Sequence, residues 1–409
     1  MKSAPFAPVS GHSSRPCREN SRLARCVCTT RCVCYTSRVQ RTTLYQWHRD
    51  HGAKLGEFAG WEMPFQYGDG ALAEHRLVRR SAGAFDISHM GQLSVEGIDA
   101  REFLDFLITS DIAGLEEGES RYGLLCTERG MVLDDVFTYR LPDRWFVVVN
   151  AANREKDRDW LRNRQEGLAD RFPRVSIRDV SDETAMLAIQ GPKALEVLDA
   201  TTDGHVSRIE RFGAEYGEIS GNAGIIGRTG YTGEDGAEIF VSTERALDVW
   251  TGVFAAAERM ELDFGPVGLA ARDSLRFEPG FPLYGHELDE ETTPVEARLK
   301  WACFFERAFI GREAILEELD RGLRKRLVTL SMEERGLPRQ GYPVRDPESG
   351  EQIGEIATGM YAPTLDWYYA NAFVSPEYAK RDTRCGVDIR GRIKHAVVTK
   401  RPLYKPSYK

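Results

Sequence analysis

No apolar run in the 409 residues approaches the ~20 needed to cross a bilayer as a helix, so no membrane span is expected. Cysteine is nearly missing from the body of the chain, where only Cys126, Cys303 and Cys385 follow residue 34. Such scattered thiols exclude a disulfide framework and give no zinc spacing, and they suit a reducing compartment. An excess of positive charge is missing too. The 55 Lys and Arg stand against 63 Asp and Glu, a balance of −8 that argues against a general nucleic-acid binder with a basic face. No G-x-S-x-G, H-E-x-x-H or C-x-x-C occurs. His89 in "FDISHMG" and His286 in "LYGHELD" lie near turns with no adjacent nucleophile motif.

What is present suits a soluble globular protein of two or three domains, with 42% hydrophobic and 10% aromatic residues. The first forty residues differ from the rest. They are rich in Arg and Ser, hold Cys17, Cys26, Cys28, Cys32 and Cys34, and have Glu19 as their only acid. That composition fits an organellar transit peptide, and equally a translation start placed upstream of a bacterial gene. The expectation is a disordered or cleavable extension over 1–41, with a mitochondrial matrix location in the first case and a cytoplasmic one in the second. "CVCTTRCVC" supplies four thiols, but two C-x-C pairs without a surrounding fold do not make a metal site.

From Thr43 helical and strand patterns alternate irregularly, which predicts α+β architecture rather than a doubly wound sheet. "LYQWHRDHGA" and "ALAEHRLVRRSAGAFD" read as helices, with turn-rich "FAGWEMPFQYGDG" between them. "YGLLCTERGMVLDDVFTYRL" reads as a hairpin turning at "ERG", and "REKDRDWLRNRQEGL" as a polar helix capped by Asn153. After "FIGREAILEELDRG", short strands separated by Gly and Pro turns predict a small all-β barrel or sandwich. The expected domains are 42–304 and 305–409.

Within "MVLDDVFTYR", strand alternation puts Asp134 on a mixed face with Arg140, where it reads as solvated. Asp135 falls on the face of Met131, Leu133, Phe137 and Tyr139, as the sole charge there. A buried carboxylate without a partner costs several kcal/mol or shifts its pKa, so Asp135 needs a partner or a role. A turn-capping aspartate facing water fits the same spacing, and both readings stay open. "GRTGYTGEDGAEIF" has glycines at 227, 230, 233 and 236, the wrong spacing for a dinucleotide site, and reads as a tight loop feeding a strand. Inside that strand Glu238 shares a face with Phe240. Such an acid can grip a paired N–H donor, such as an aminopyrimidinone edge, or salt-bridge an arginine. In "GLAARDSLRFEPG", Arg272 and Arg276 lie four apart on one helix face, able to clamp a carboxylate, stack on a ring, or pair with Asp273 or Glu278.

Taken together, "LYQWHRDHGAKLGEFAGWEMPFQY", "EHRLVRRSAGAFDISHMG", "ERGMVLDDVFTYRL", "VVVNAANREKD", "AIQGP", "GRTGYTGEDGAEI", "GLAARDSLRFEPGFPLYGHELDE" and "FIGREA" resemble the T-protein aminomethyltransferases of the glycine cleavage system. The resemblance runs from about Thr43 to the C-terminus. It implies a three-lobed ring, with two folate-binding α+β lobes and a C-terminal β-barrel. It implies tetrahydrofolate, and transfer of an aminomethyl group from the lipoyl arm of H-protein, with release of ammonia and formation of methylenetetrahydrofolate. No nucleic-acid or membrane partner and no metal is implied. By resemblance Asp135 is the catalytic carboxylate, Asp134 its supporting neighbour, Glu238 the pterin-binding acid and Arg272 its partner. Tyr122, Tyr139, Tyr231, Tyr408, Asn150 and Asn153 are implied as further folate-site residues. Asp366 and Trp367 depart from the family pattern in the barrel. One alternative on the same fold is a tetrahydrofolate-dependent relative that demethylates or oxidises methylated amines or sulfonium compounds, whose oxidase members a fused flavin domain would mark. The other is the non-catalytic folate-binding homologue of iron–sulfur assembly, which a K-G-C-Y-like motif would mark. Neither the domain nor the motif occurs here.

Overall fold

The structure is a computed structural model that describes residues 39–202 and 204–408. The expected extension, with "CVCTTRCVC", therefore lies outside the described residues up to position 38. Its last residues are held in place, since Gln40 bridges Trp61 and Arg41 pairs with Glu62 at 2.9 Å.

Two sheets and a closed six-stranded barrel carry the architecture. The first sheet runs, edge to edge, Ser120–Cys126, Val132–Arg140, Trp145–Val149, Gly91–Glu96, Ser176–Asp179, all antiparallel. The second runs Ala214–Ile219, Asn222–Gly227, Gly236–Ser242, Thr184–Gln190, Ala82–Asp86, Phe264–Pro266, with only the last pair parallel. The two sheets pack face to face. Tyr139, Phe146 and Val148 of the first meet Met186, Ala188, Ile225 and Phe240 of the second in one apolar layer.

Helices cover the outer faces. Phe103, Leu104 and Leu107 of helix Ala100–Leu107 and Leu161 of helix Arg154–Gly167 pack beneath the first sheet. Trp250 and Val253 of helix Ala246–Arg259 pack beneath the second. Each sheet is thus buried on both sides, which is why all five residues of Trp145–Val149 are buried and period-2 alternation is lost there.

"FAGWEMPFQYGDG" was expected as turns, but most of it joins Lys54–Phe58 in a hairpin whose second strand is Trp61–Gln66. Ala59 and Gly60 connect the strands at φ +50° and +80°, the left-handed pair that a two-residue hairpin demands. The barrel strands, Arg326–Met332 to Arg392–Thr399, enclose Val328, Leu330, Val344, Ile356, Ala370 and Val387. Helix Arg312–Arg321 precedes them, and its Ile315 packs with Leu124, Cys126 and Val132 of the first sheet's hairpin.

Candidate active site

A bulge sets the geometry of the aspartate pair. Across the hairpin Leu125 faces Asp134 and Cys126 faces Val132, leaving Leu133 as the extra residue. Leu133 consequently joins Val136 in the helix-covered core, off the face where alternation placed it. Asp135 keeps its expected face, ahead of Phe137 and Tyr139 in the layer between the sheets.

The solvated reading of Asp134 is overturned. Asp134 is fully buried, and Arg140 turns away to the Leu115 carbonyl and Glu116. Three donors hold the Asp134 carboxylate: the Asn150 backbone N–H at 3.0 Å, Asn150 Nδ2 at 2.9 Å and Asn153 Nδ2 at 2.6 Å. The chain returns from strand Trp145–Val149 into the helix at Arg154 directly over this strand, so the Asn150–Asn153 turn supplies them.

Asn150 Nδ2 also donates to Asp135 Oδ1 at 2.7 Å, and the Tyr122 hydroxyl donates to Asp135 Oδ2 at 3.0 Å. Asp135 is half-buried. Burial, then the charge of Asp134, pushes its carboxyl up to about 7, against the pull of Tyr122 and Asn150. Tyr122 stacks on Trp301 with ring centroids 5.5 Å apart, and Trp301 is 71% exposed. A carboxylate with two donors, poised near neutrality beside aromatic rings, can stabilise a cation or accept a proton.

Glu238 opens the second half of the site. Thr229 Oγ1 donates to its Oε2 at 2.6 Å and the Tyr139 hydroxyl donates at 3.2 Å, while Oε1 has no hydrogen bond among the described residues. Gly227 lies opposite Glu238 in the sheet, and a Cβ there would sit 2.7 Å from the Tyr139 ring. Only a glycine lets Tyr139 reach the acid.

Arg272 stacks its guanidinium 4.7 Å from the Tyr231 ring, and its buried Nη1 has no hydrogen-bond partner among the described residues. Burial lowers its pKa, and Glu238 and Tyr231 counter that. Tyr231 feels both Asp135 and Arg272 electrostatically and feels Tyr122 as well. The two halves therefore adjoin. His89 is buried beside Arg272 with Nδ1 unpartnered, and burial followed by that arginine pulls the ring down to about 4.

The structure gathers Asp134, Asp135, Tyr122, Asn150 and Asn153 in one cluster, and Glu238, Tyr139, Arg272 and Tyr231 in its neighbour. Tyr139 is fully buried behind Glu238, so it supports the acid instead of lining the site. Tyr408 lies elsewhere, donating to Glu234 and accepting from the Asp235 backbone N–H at 3.0 Å. Arg276 is held by protein partners of its own. It is fully buried and paired at 2.9 Å with both Glu287 and Asp273. Asp366 adopts φ +53° and Trp367 donates to the Met332 carbonyl, so both departures are accommodated within the barrel.

Sequence reasoning missed Thr229, Trp301 and Asp157. For Asp157 a signal existed: it sits four residues after Asn153 and four before Leu161, which places it on the inward face of a helix read as polar.

Two sheets and a closed barrel carrying this candidate site define the fold to be compared with known proteins. Residues 44–307 match the family described as the GCVT N-terminal domain, and residues 325–405 the glycine cleavage T-protein C-terminal barrel domain. An aminomethyltransferase of Herpetosiphon aurantiacus is 42% identical over 91% of this chain and 100% of its own length. One of Caldanaerobacter subterraneus is 40% identical over 91% and 97%. The crystal structure of the glycine cleavage system aminomethyltransferase T of Bartonella henselae superposes with a TM-score of 0.82 at 34% identity, covering 90% of this chain and 98% of that one. The chain belongs to the glycine cleavage T-protein family, and its activity is that of an aminomethyltransferase of the glycine cleavage system.

Proposed function

We propose that the site takes tetrahydrofolate as acceptor and the aminomethylated lipoyl arm of H-protein as donor, with Asp135 as the catalytic carboxylate. The observation that carries this reading is the pairing of two unsatisfied groups of opposite kind. Glu238 presents a free oxygen and Arg272 a buried, unpartnered N–H. A buried donor left without a partner costs about 1–3 kcal/mol, so the arrangement is built for a ligand that offers N–H donors and acceptors on one edge. A pterin ring has that edge, and Tyr231 supports the packing of a flat ring beside it. Tetrahydrofolate supplies the amine that receives the one-carbon unit.

The protein's part is electrostatic. Tyr122 and Asn150 hold the Asp135 carboxylate in one orientation, so it meets positive charge developing on the transferred methylene without reorganising. Asp134 keeps Asn150 in place. Exposed Trp301 beside Tyr122 leaves an approach for the arm from solvent. The bacterial relatives support a cytoplasmic location, and among the described residues no helix is long and apolar enough to cross a membrane.

The test is ammonia release from aminomethylated H-protein. The expected result is turnover that rises sharply on adding tetrahydrofolate. Release that ignores the folate would overturn the acceptor assignment.

A further inference from the structure

Asp157, in the first turn of helix Arg154–Gly167, is buried against Asp134, and neither of its carboxylate oxygens has a hydrogen-bond donor among the described residues. Two adjacent carboxylates sealed from water cannot both carry charge, because their repulsion adds to the desolvation of each. Asp134 already receives three N–H bonds, whereas Asp157 receives none, so a proton on Asp157 would find an acceptor in Asp134. We propose that Asp157 is a positioning residue that keeps a proton at neutral pH and donates it to Asp134, so that Asp134 holds Asn150 in register with Asp135. This rests on the reading of Asp135 as the catalytic carboxylate.

The surroundings agree. Burial, and then Asp134, push the Asp157 carboxyl up to about 11. The other charged or titratable groups about the pair, among the described residues, are Lys156, Asp135, Tyr122 and Tyr284. Lys156 does not neutralise Asp157 by contact, since its Nζ is spent on the Leu133 carbonyl at 2.7 Å, Tyr284 at 2.9 Å and Glu290 at 3.3 Å. A chain of contacts then runs Asp157, Asp134, Asn150, Asp135. The shared proton spreads the charge facing Asp135 over two carboxyls.

Infrared difference spectra of the wild-type protein minus Asp157→Asn at neutral pH read the proton directly. The expected result is a protonated carboxyl C=O band that the variant lacks, and its absence would overturn the proposal. Kinetics read the consequence. Asp157→Asn still donates to Asp134 and should keep kcat within about twofold with an unchanged acid limb. Asp157→Leu cannot donate; it should lower kcat about tenfold with little change in folate KM, and move the acid limb up by about one pH unit. An Asn variant as displaced as the Leu variant would sink the proposal, and so would a Leu variant with the wild-type profile. If Asp157→Leu does not fold, the infrared band and the Asn variant decide. The band does not depend on turnover, so it stands or falls apart from the catalytic reading of Asp135.

Discussion

Asp135 trades stability for charge. Its carboxyl is raised from 3.8 to about 7, so the folded state favours the protonated form. The stability this confers is complete below pH 3.8 and is lost as pH rises through about 7, whereas the role proposed for Asp135 needs the anion. Asp135→Asn removes that conflict. Turnover should fall about 10²-fold, the scale for loss of an electrostatic stabiliser, with folate binding kept. In the same variant the Tm above pH 7 should rise on the order of 2 °C relative to wild type, the gain vanishing toward pH 4. Scanning calorimetry at both pH values checks it, and an equal Tm throughout would show that Asp135 is not desolvated. Glu238→Ala acts on binding. It removes the acid whose charge Arg272 feels, and folate affinity by titration calorimetry should drop about tenfold or more. Unchanged affinity would remove Glu238 from the folate site.

At the scale of elements, the strand Gly236–Ser242 delivers Glu238 only because its neighbour carries Gly227 at the point of closest approach. Gly227→Ala places a methyl 2.7 Å from the Tyr139 ring and 3.3 Å from Thr229 Oγ1, the two groups that orient the acid. The ring must shift in a packed layer, costing about 1–3 kcal/mol of stability and weakening folate binding with it. Gly167→Ala is the control, because the added methyl meets nothing within 4 Å there. Denaturant unfolding and calorimetry on both variants separate the cases. This element also shows what was readable in advance. Alternation alone put Glu238 with Phe240 and Asp135 with Tyr139, and both placements match the layer between the sheets. Alternation misplaced Asp134 because it assumes one solvated face, whereas helices cover this one, and because Leu133 is squeezed into a bulge. Neither the covering helix nor the slip leaves a local mark in "MVLDDVFTYR". Arg272 and Arg276 share a helix face in sequence, but what separates them is Glu287, which comes from a later loop.

At the scale of the molecule, buried polar contacts tie the barrel to the helix that carries Arg272: Thr364 donates to Glu278 at the end of that helix, and Glu287 forms a second clamp. Arg276, on the helix that carries Arg272, pairs with Glu287 at 2.9 Å, and Glu287 accepts from barrel Asn371 at 2.8 Å. Burial pushes the Glu287 carboxyl up, but Arg276, Asn371, Arg401 and the Leu283 N–H together pull it down to about 2. A carboxyl depressed from 4.5 to about 2 contributes stability that is complete above pH 4.5 and lost as pH falls through about 2. Glu287→Gln should cost about 3 kcal/mol at pH 7, at the low end for a broken buried pair because Asp273 still contacts Arg276. The gap between wild type and variant should close between pH 4.5 and pH 2, as the wild type loses what the variant never had. Because Arg276 and Arg272 lie one turn apart, a loosened clamp should also weaken folate binding, though less than Glu238→Ala does. Urea unfolding across that pH range tests the linkage, and a gap that stays constant with pH would show that the Glu287 charge does not hold the barrel to the helix.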